Sequence, residues 1–398
     1  MAEMTKRERM IAALSNKEAD RIPVAPDTSY MIPCRHTGKK YWDIMFHGEP
    51  QLWRAYLDVV DYFDFDGWFM NGGIGLKTKG EPTPSKITEE MDDRGRMIWT
   101  QEIETPAGML RQKQMCSIDD VPTFTEKLIK DFKEDFPKFK YLYPEIVGYD
   151  DEYFQMQKKE LGERGIMGIG IFPPGFQIFF SYFDGNLEAL TYAYYDYPEL
   201  FEELVDMYTK FTLKQLEMIL EVKPDSILTG GSGSITMQSP ELFDELSLPV
   251  MKTMTKMCKE AGVISGVHSC GKEMHLLKVC AEQTDLNYAN PLEIPPMGDC
   301  ELAEAKRLFG HKLALMGNLH TTDIMLNGSV KDVRRESVKA MIDAGAGGGF
   351  VLSTGDQPGR DTPYENLFEM VKTCREFGKY PLNMDAMKDE YVRLGGTL

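Results

Sequence analysis

The sequence predicts an α/β protein folded as a (β/α)8 TIM barrel, with an N-terminal extension and a small inserted β-meander, all within one domain over residues 1–398. Two observations predict it. From about residue 165 onward, short apolar runs alternate with helical patterns for at least six units, and such alternation builds a parallel sheet flanked by helices. Two further short apolar runs near the N-terminus supply the missing strands.

The elements follow in order. "MAEMTKRERMIAALSNKEADRIP" has no apolar signal region and reads as a first helix of a mature chain. "RIPVAPD" is the first strand and "FDGWFM" the second. Between them and the third strand, residues about 84–120 contain "RMIWTQEIETPAGMLRQKQ", whose alternation predicts the inserted β-meander. "GIMGIGIF" (165–172) is a buried strand, and a long helical region, 186–222, follows it. "DSILTGG", "VISGVHSC", "DLNYANP", "KLALMGN" and "GFVLSTG" are the remaining strands, each followed or preceded by a helical stretch. Ser239-Pro240 and Thr362-Pro363 mark helix starts by pairing an N-cap with proline at the first helical position. Gly262, Gly345 and Gly378 mark helix ends.

Composition bounds the function. The net charge of −18 argues against a nucleic-acid partner, because a phosphate backbone requires a basic surface. No run of about 18 apolar residues is present, so no membrane span is expected and the chain is assigned to the cytoplasm. Seven scattered cysteines form a poor disulfide framework, and reduced thiols are expected.

Barrel enzymes carry their chemistry at the C-terminal ends of the strands. The residues just past the apolar runs include Asp27 to Tyr30, Asn71, Gly230 to Ser234, His268, Cys270, Asn290, Glu293, Asn318, His320 and Asp356. His268 and Cys270 are two apart, and alternate strand residues share a face. A nitrogen and a thiolate on one face suit Zn²⁺. A catalytic zinc takes a third protein ligand and keeps one position open. Asp356 is the best placed third ligand, with Glu293 and His320 as alternatives. The glycine-rich "TGGSGSITM" (229–237) follows a strand and suits either a phosphate cradle or a loop leaving room for a bulky partner. "AGAGGGF" (344–350) precedes a strand and reads as a tight connection on the structural face.

These residues resemble those of the uroporphyrinogen decarboxylase superfamily, and within it the zinc- and corrinoid-dependent methyltransferases. The resemblance covers roughly residues 20–380 and is strongest from 225 on. "GVHSCG" resembles their His-x-Cys zinc motif, and "GGGFVLSTGDQPGRDTPYENL" their final strand and loop. The third zinc ligand in that loop is a cysteine in the methyltransferases; here Asp356 stands in its place. "LALMGNLHTTDIML" resembles a decarboxylase segment, with His320 where the decarboxylases have aspartate, and Tyr182 in "FFSYFDG" resembles their tyrosine. The arginine-bearing decarboxylase motif is missing from "PDTSYMIPCRHTGKKY", although Arg35 is present. The chain has no Asp-x-His-x-x-Gly corrinoid motif, so the resemblance implies a corrinoid arriving on a separate protein.

The resulting expectation is an O-demethylating methyltransferase. It moves a methyl group from a small methoxylated, aromatic donor to the cob(I)alamin of a partner corrinoid protein. His268, Cys270 and Asp356 hold zinc; Tyr182, Asn318 and His320 position the substrate or protonate the leaving oxygen; Tyr30, Arg35, Asp66 and Glu293 line the substrate site. Aspartate in place of a cysteine donates less electron density to zinc and raises its Lewis acidity, which favours ether cleavage. Aromatic residues near strand ends (Tyr30, Trp68, Phe69, Phe172, Phe176, Phe179, Phe180 and Tyr182) offer faces for a ring. The alternatives are a methylcorrinoid:thiol methyltransferase, a metal-free decarboxylase using Asp66, Tyr182 and Arg35, and a barrel that binds a corrinoid or ligand without turnover.

Overall fold

The computed structural model describes residues 3–397. Seven parallel strands are hydrogen-bonded in chain order: β1 (Gly67–Phe69), β2 (Gly165–Gly170), β3 (Ser226–Thr229), β4 (Ile264–His268), β5 (Tyr288–Asn290), β6 (Ala314–Leu319) and β7 (Phe350–Thr354). The "RIPVAPD" segment joins the two edges. Val24 bridges Leu352 of β7 in parallel, with Ala25 N donating to Leu352 O at 2.9 Å. On the other side Asp66 N, just before β1, donates to Val24 O at 2.9 Å. The segment makes bridges rather than a regular strand, because Pro23 and Pro26 have no N–H to give.

The barrel interior is filled by Trp68, Met70, Leu228, Tyr288, Met316 and Val351. Glycine at position 266 leaves room for the Tyr288 ring, against which a Cβ there would collide. Trp68 Nε1 donates to the Tyr288 hydroxyl at 3.1 Å, so this interior polar pair is satisfied. The helix Lys6–Leu14, started by a Thr5–Glu8 capping box, inserts Met10 and Leu14 into one end. That end is the floor: Arg7 and Arg9 of this helix bond Asp225 and Asp66, the residues just before β3 and β1. The opposite end, past the strand C-termini, is open.

Two antiparallel pieces lie outside the barrel. Ser85–Met91, Met97–Thr105, Gly108–Cys116 and Thr123–Glu126 form a four-stranded meander. Gly75–Thr78 pairs with Ile146–Asp150. A separate aromatic cluster, including Phe132, Phe136, Phe139, Phe179 and Phe201, packs beside the barrel.

Some boundaries differ from the sequence expectation. The long helical region divides into Asn186–Asp196 and Pro198–Glu221, because Pro198 lacks an N–H and disfavours helical backbone at Tyr197. Ser239 caps its helix as expected, but the helix after Pro363 starts only at Tyr364. The 344–350 loop turns at Gly347, Gly348 and Gly349, all at positive φ, and lies on the floor side ahead of β7. All seven cysteines are free. Among the described residues no helix is long and apolar enough to cross a membrane.

Candidate metal and substrate site at the barrel mouth

His268 is the last residue of β4; Cys270 lies just past the strand, in the turn. The two side chains nonetheless meet, with His268 Nε2 at 3.1 Å from Cys270 Sγ. Gly271, at φ +90°, lets the chain turn back immediately; a Cβ there would run into Thr236. Asp356 comes from the far side of the ring, two residues past β7. The potential donor atoms of His268, Cys270 and Asp356 all lie within 4.8 Å of one another. Sequence separates Asp356 from Cys270 widely; closure of the ring brings them together across its mouth.

Asp356 has φ +129°, in the region that favours glycine. Its Oδ1 accepts from Gln357 N at 2.7 Å, and Gln357 Oε1 in turn accepts from Tyr30 N and Met31 N, each at 2.9 Å. The loop after β7 is therefore tied to the loop after the first segment, and this holds Asp356 in an unfavourable backbone state. Strain of this kind persists where the surroundings enforce it, and it gathers at functional sites.

The electrostatics are those of negative groups crowded together. Burial and the Asp356 carboxylate push the Cys270 thiol up; the thiol donates to Ser232 Oγ at 3.3 Å. Burial pushes Asp27 up as well, with His268 opposing and Asp356 adding. Glu293 is raised by burial and by Asp356, while its Oε2 accepts from Gly271 N at 2.5 Å. A cation placed among these groups would reverse the penalty, since it stabilises thiolate and carboxylate directly.

The donor set of nitrogen, sulfur and oxygen fits zinc. The imidazole has a partner that fixes it. Asn290, 1% exposed, places its Nδ2 at 3.1 Å from His268 Nδ1 and leaves its buried Oδ1 without a partner. Turning the amide over would put Oδ1 against Nδ1–H and free the Nε2 lone pair for a metal. Asn290 and Ser232 thus support the ligands. Both stand at strand ends, which was their only signal in the sequence.

A cavity of about 540 Å³ opens beside His268 and Asp356. It is lined by residues following the first segment and β1 to β4 and β7, among them Asp27, Tyr30, Trp68, Asn71, Phe172 and Ser232. Burial and the Asp27 and Asp356 carboxylates push the Tyr30 phenol up. Asp27 was legible as a strand-end residue, but nothing in its local sequence set it apart from a turn carboxylate.

Other expected site residues are placed elsewhere. Asp66 is completely buried on the floor, bonded by Arg9 Nη1 at 2.7 Å and Arg21 Nη1 at 2.8 Å, and has no access to substrate. It precedes its strand, so it lies at the wrong end of the barrel. Arg35 donates to the carbonyls of Arg360 and Thr362 and stacks on Tyr364, bracing a loop. Tyr182 sits in the aromatic cluster, its hydroxyl 3.0 Å from that of Tyr143 and its ring against Phe139. Phe176 and Phe179 belong to the same cluster, and Phe69 packs against the outer helices. Asn318 and His320 line a different cavity, of about 230 Å³, with Glu301 and Lys339. His320 Nδ1 accepts from Thr322 N and Asp323 N, capping the turn that follows. Glu293 braces the Cys270 turn rather than lining the mouth cavity.

The uroporphyrinogen decarboxylase (URO-D) family profile matches residues 154–377. The chain belongs to this family. MtbA of Methanosarcina acetivorans, named a methylcobamide:CoM methyltransferase, is 24% identical over 384 residues, covering 95% of this chain and 99% of the relative. MtaA of Methanosarcina barkeri, with the same activity in its name, is 24% identical over 180 residues, 45% of this chain and 50% of the relative. A solved methyltransferase from Methanosarcina mazei superposes with a TM-score of 0.65 at 17% identity, covering 94% of this chain and 99% of that one, and so shares the fold. Within the family these relatives carry methyltransferase names, in agreement with the resemblance read from the sequence.

Proposed function

We propose that the protein is a corrinoid-dependent methyltransferase that demethylates a methoxylated aromatic compound and delivers the methyl group to the cob(I)alamin of a separate corrinoid protein. The observation that carries this reading is the convergence of His268, Cys270 and a strained Asp356 at the barrel mouth. His268, Cys270 and Asp356 would hold zinc, which supplies Lewis acidity to an ether oxygen. Asn290 orients the imidazole, and Glu293 fixes the Cys270 turn through Gly271 N. Trp68 and Phe172 offer apolar faces to a ring, while Tyr30 offers a phenolic proton to the oxygen that leaves. In balance, the methyl–oxygen bond breaks, a methyl–cobalt bond forms with the electron pair of cob(I)alamin, and the aryl oxide takes a proton.

The decarboxylase alternative draws on the family's name alone; its residues Asp66, Tyr182 and Arg35 lie apart and outside the mouth. The thiol alternative draws on the names of the relatives. Against it stands the cavity wall: among the described lining residues none is lysine or arginine, and coenzyme M is a sulfonate. The deciding experiment mixes zinc-loaded protein with cob(I)alamin and a panel of methyl ethers, and follows methylcob(III)alamin in the visible spectrum. A parallel arm supplies methylcob(III)alamin and a thiol. Demethylation of an ether without transfer to the thiol supports the proposal; transfer only to the thiol reverses it, and a protein that binds no zinc refutes the metal site.

A further inference from the structure

The wall of the mouth cavity narrows the donor further. Its charged groups are all acidic or imidazole, and among the described lining residues there is no lysine or arginine. A carboxylate moved out of water needs a cation or a set of N–H donors to replace its hydration. The side chains of this wall supply no cation, and Asp27 and Asp356 set acidic groups beside it; the Tyr30 N–H is spent on Gln357 Oε1, and the Ser29 N–H on Asp27 Oδ1 at 3.2 Å.

Asp27 presents the opposite chemistry. It is 4% exposed, and its Oδ1 receives both the N–H and the hydroxyl of Ser29. Among the described residues nothing donates to Oδ2. The side chain lines the cavity beside His268 and Asp356, with Trp68 and Phe172 in the same wall. A carboxyl oxygen with no protein donor is matched by a ligand hydroxyl, and aromatic side chains are matched by a ring.

We infer that the methyl donor is an uncharged methoxyphenol, its free hydroxyl taken by Asp27, and that the cavity discriminates against rings bearing a carboxylate. This rests on the O-demethylase reading above and adds the charge and the second substituent of the donor.

Three probes separate the terms. Guaiacol carries methoxy and hydroxyl groups, anisole lacks the hydroxyl, and vanillate adds a carboxylate to guaiacol. Zinc-loaded full-length protein is titrated calorimetrically with each in the absence of corrinoid, and methyl transfer to cob(I)alamin is then measured with each. Guaiacol is expected to bind, and to react by kcat/KM, about ten-fold or more better than either of the others, since a site built for a hydroxyl rejects the analogue that lacks it. Asp27→Ala is expected to bring guaiacol down to the level of anisole. Should that variant not fold, the wild-type comparison still decides. Vanillate bound and turned over as well as guaiacol would overturn the inference while leaving O-demethylation intact. Anisole equal to guaiacol would remove the role of Asp27. If none of the three yields methylcob(III)alamin, the O-demethylase reading falls and takes this inference with it.

Discussion

The two ends of the barrel each bury carboxylates, and treat them oppositely. On the floor, Asp66 meets Arg9, Arg21 and the Val24 N–H, and Asp20 meets Arg9. Every charge there has a partner. At the mouth, Asp27, Glu293 and Asp356 gather around His268 and Cys270 without a lysine or arginine in the described cavity wall. A buried ion pair that is fully matched holds elements in place, whereas like groups left unmatched in a cleft mark a place for a ligand or metal. The floor ties the N-terminal helix to the strand starts. The mouth leaves its negative groups for something not contributed by the chain.

The contrast can be broken from either end. The largest expected effect is at the mouth: His268→Ala abolishes zinc binding, measured by elemental analysis of the purified variant, and methyl transfer is lost with it. A wild type without zinc, or a variant that retains it, would remove the site. On the floor, Asp66→Ala leaves Arg21 without a carboxylate and takes one of the two carboxylates from Arg9, and lowers stability by about 3–5 kcal/mol, read from denaturant unfolding. The folded fraction should still bind zinc in the wild-type amount; loss of zinc from folded protein would mean that the two ends are not separable.

A smaller change is expected for Asn290→Leu, which preserves volume but removes the amide. Zinc affinity, measured by competition with a chromophoric chelator, should fall about 10- to 100-fold, with the fold unchanged. Affinity in the wild type should also rise with pH. The Cys270 thiol is pushed up by burial and Asp356, and must give up its proton to bind metal. An affinity independent of pH would argue against thiolate ligation. The smallest effect belongs to Tyr182→Phe. Its hydroxyl meets only that of Tyr143 within an aromatic cluster, so stability should change by about 1 kcal/mol and kcat not at all. A large fall in kcat would return Tyr182 to the catalytic site.

The sequence made the barrel legible because strand and helix periods are local properties. It also made the His268–Cys270 pair legible, since residues two apart near a strand end share a side. Asp356 was reachable from its place after the last strand and from a resemblance that puts a ligand there. Its φ of +129°, which separates it from an ordinary turn carboxylate, appears only in three dimensions. Asp66 and Tyr182 show the converse. Asp66 flanks a strand, but at its start, and its fate depends on arginines drawn from residues 9 and 21. Tyr182 follows a strand closely enough to look like a mouth residue, yet the short helix Phe176–Phe179 carries it into the aromatic cluster.

By itself, then, the sequence determined the alternation of strands and helices, the end of the barrel to examine for a site, and the His268–Cys270 pair as candidate ligands. These rest on periodicity and spacing, which a chain carries along its length. Tertiary structure alone decided which carboxylates found arginines and which did not. That choice depends on which distant segments the closed ring makes neighbours, and no local pattern encodes the distance between Asp27, His268 and Asp356.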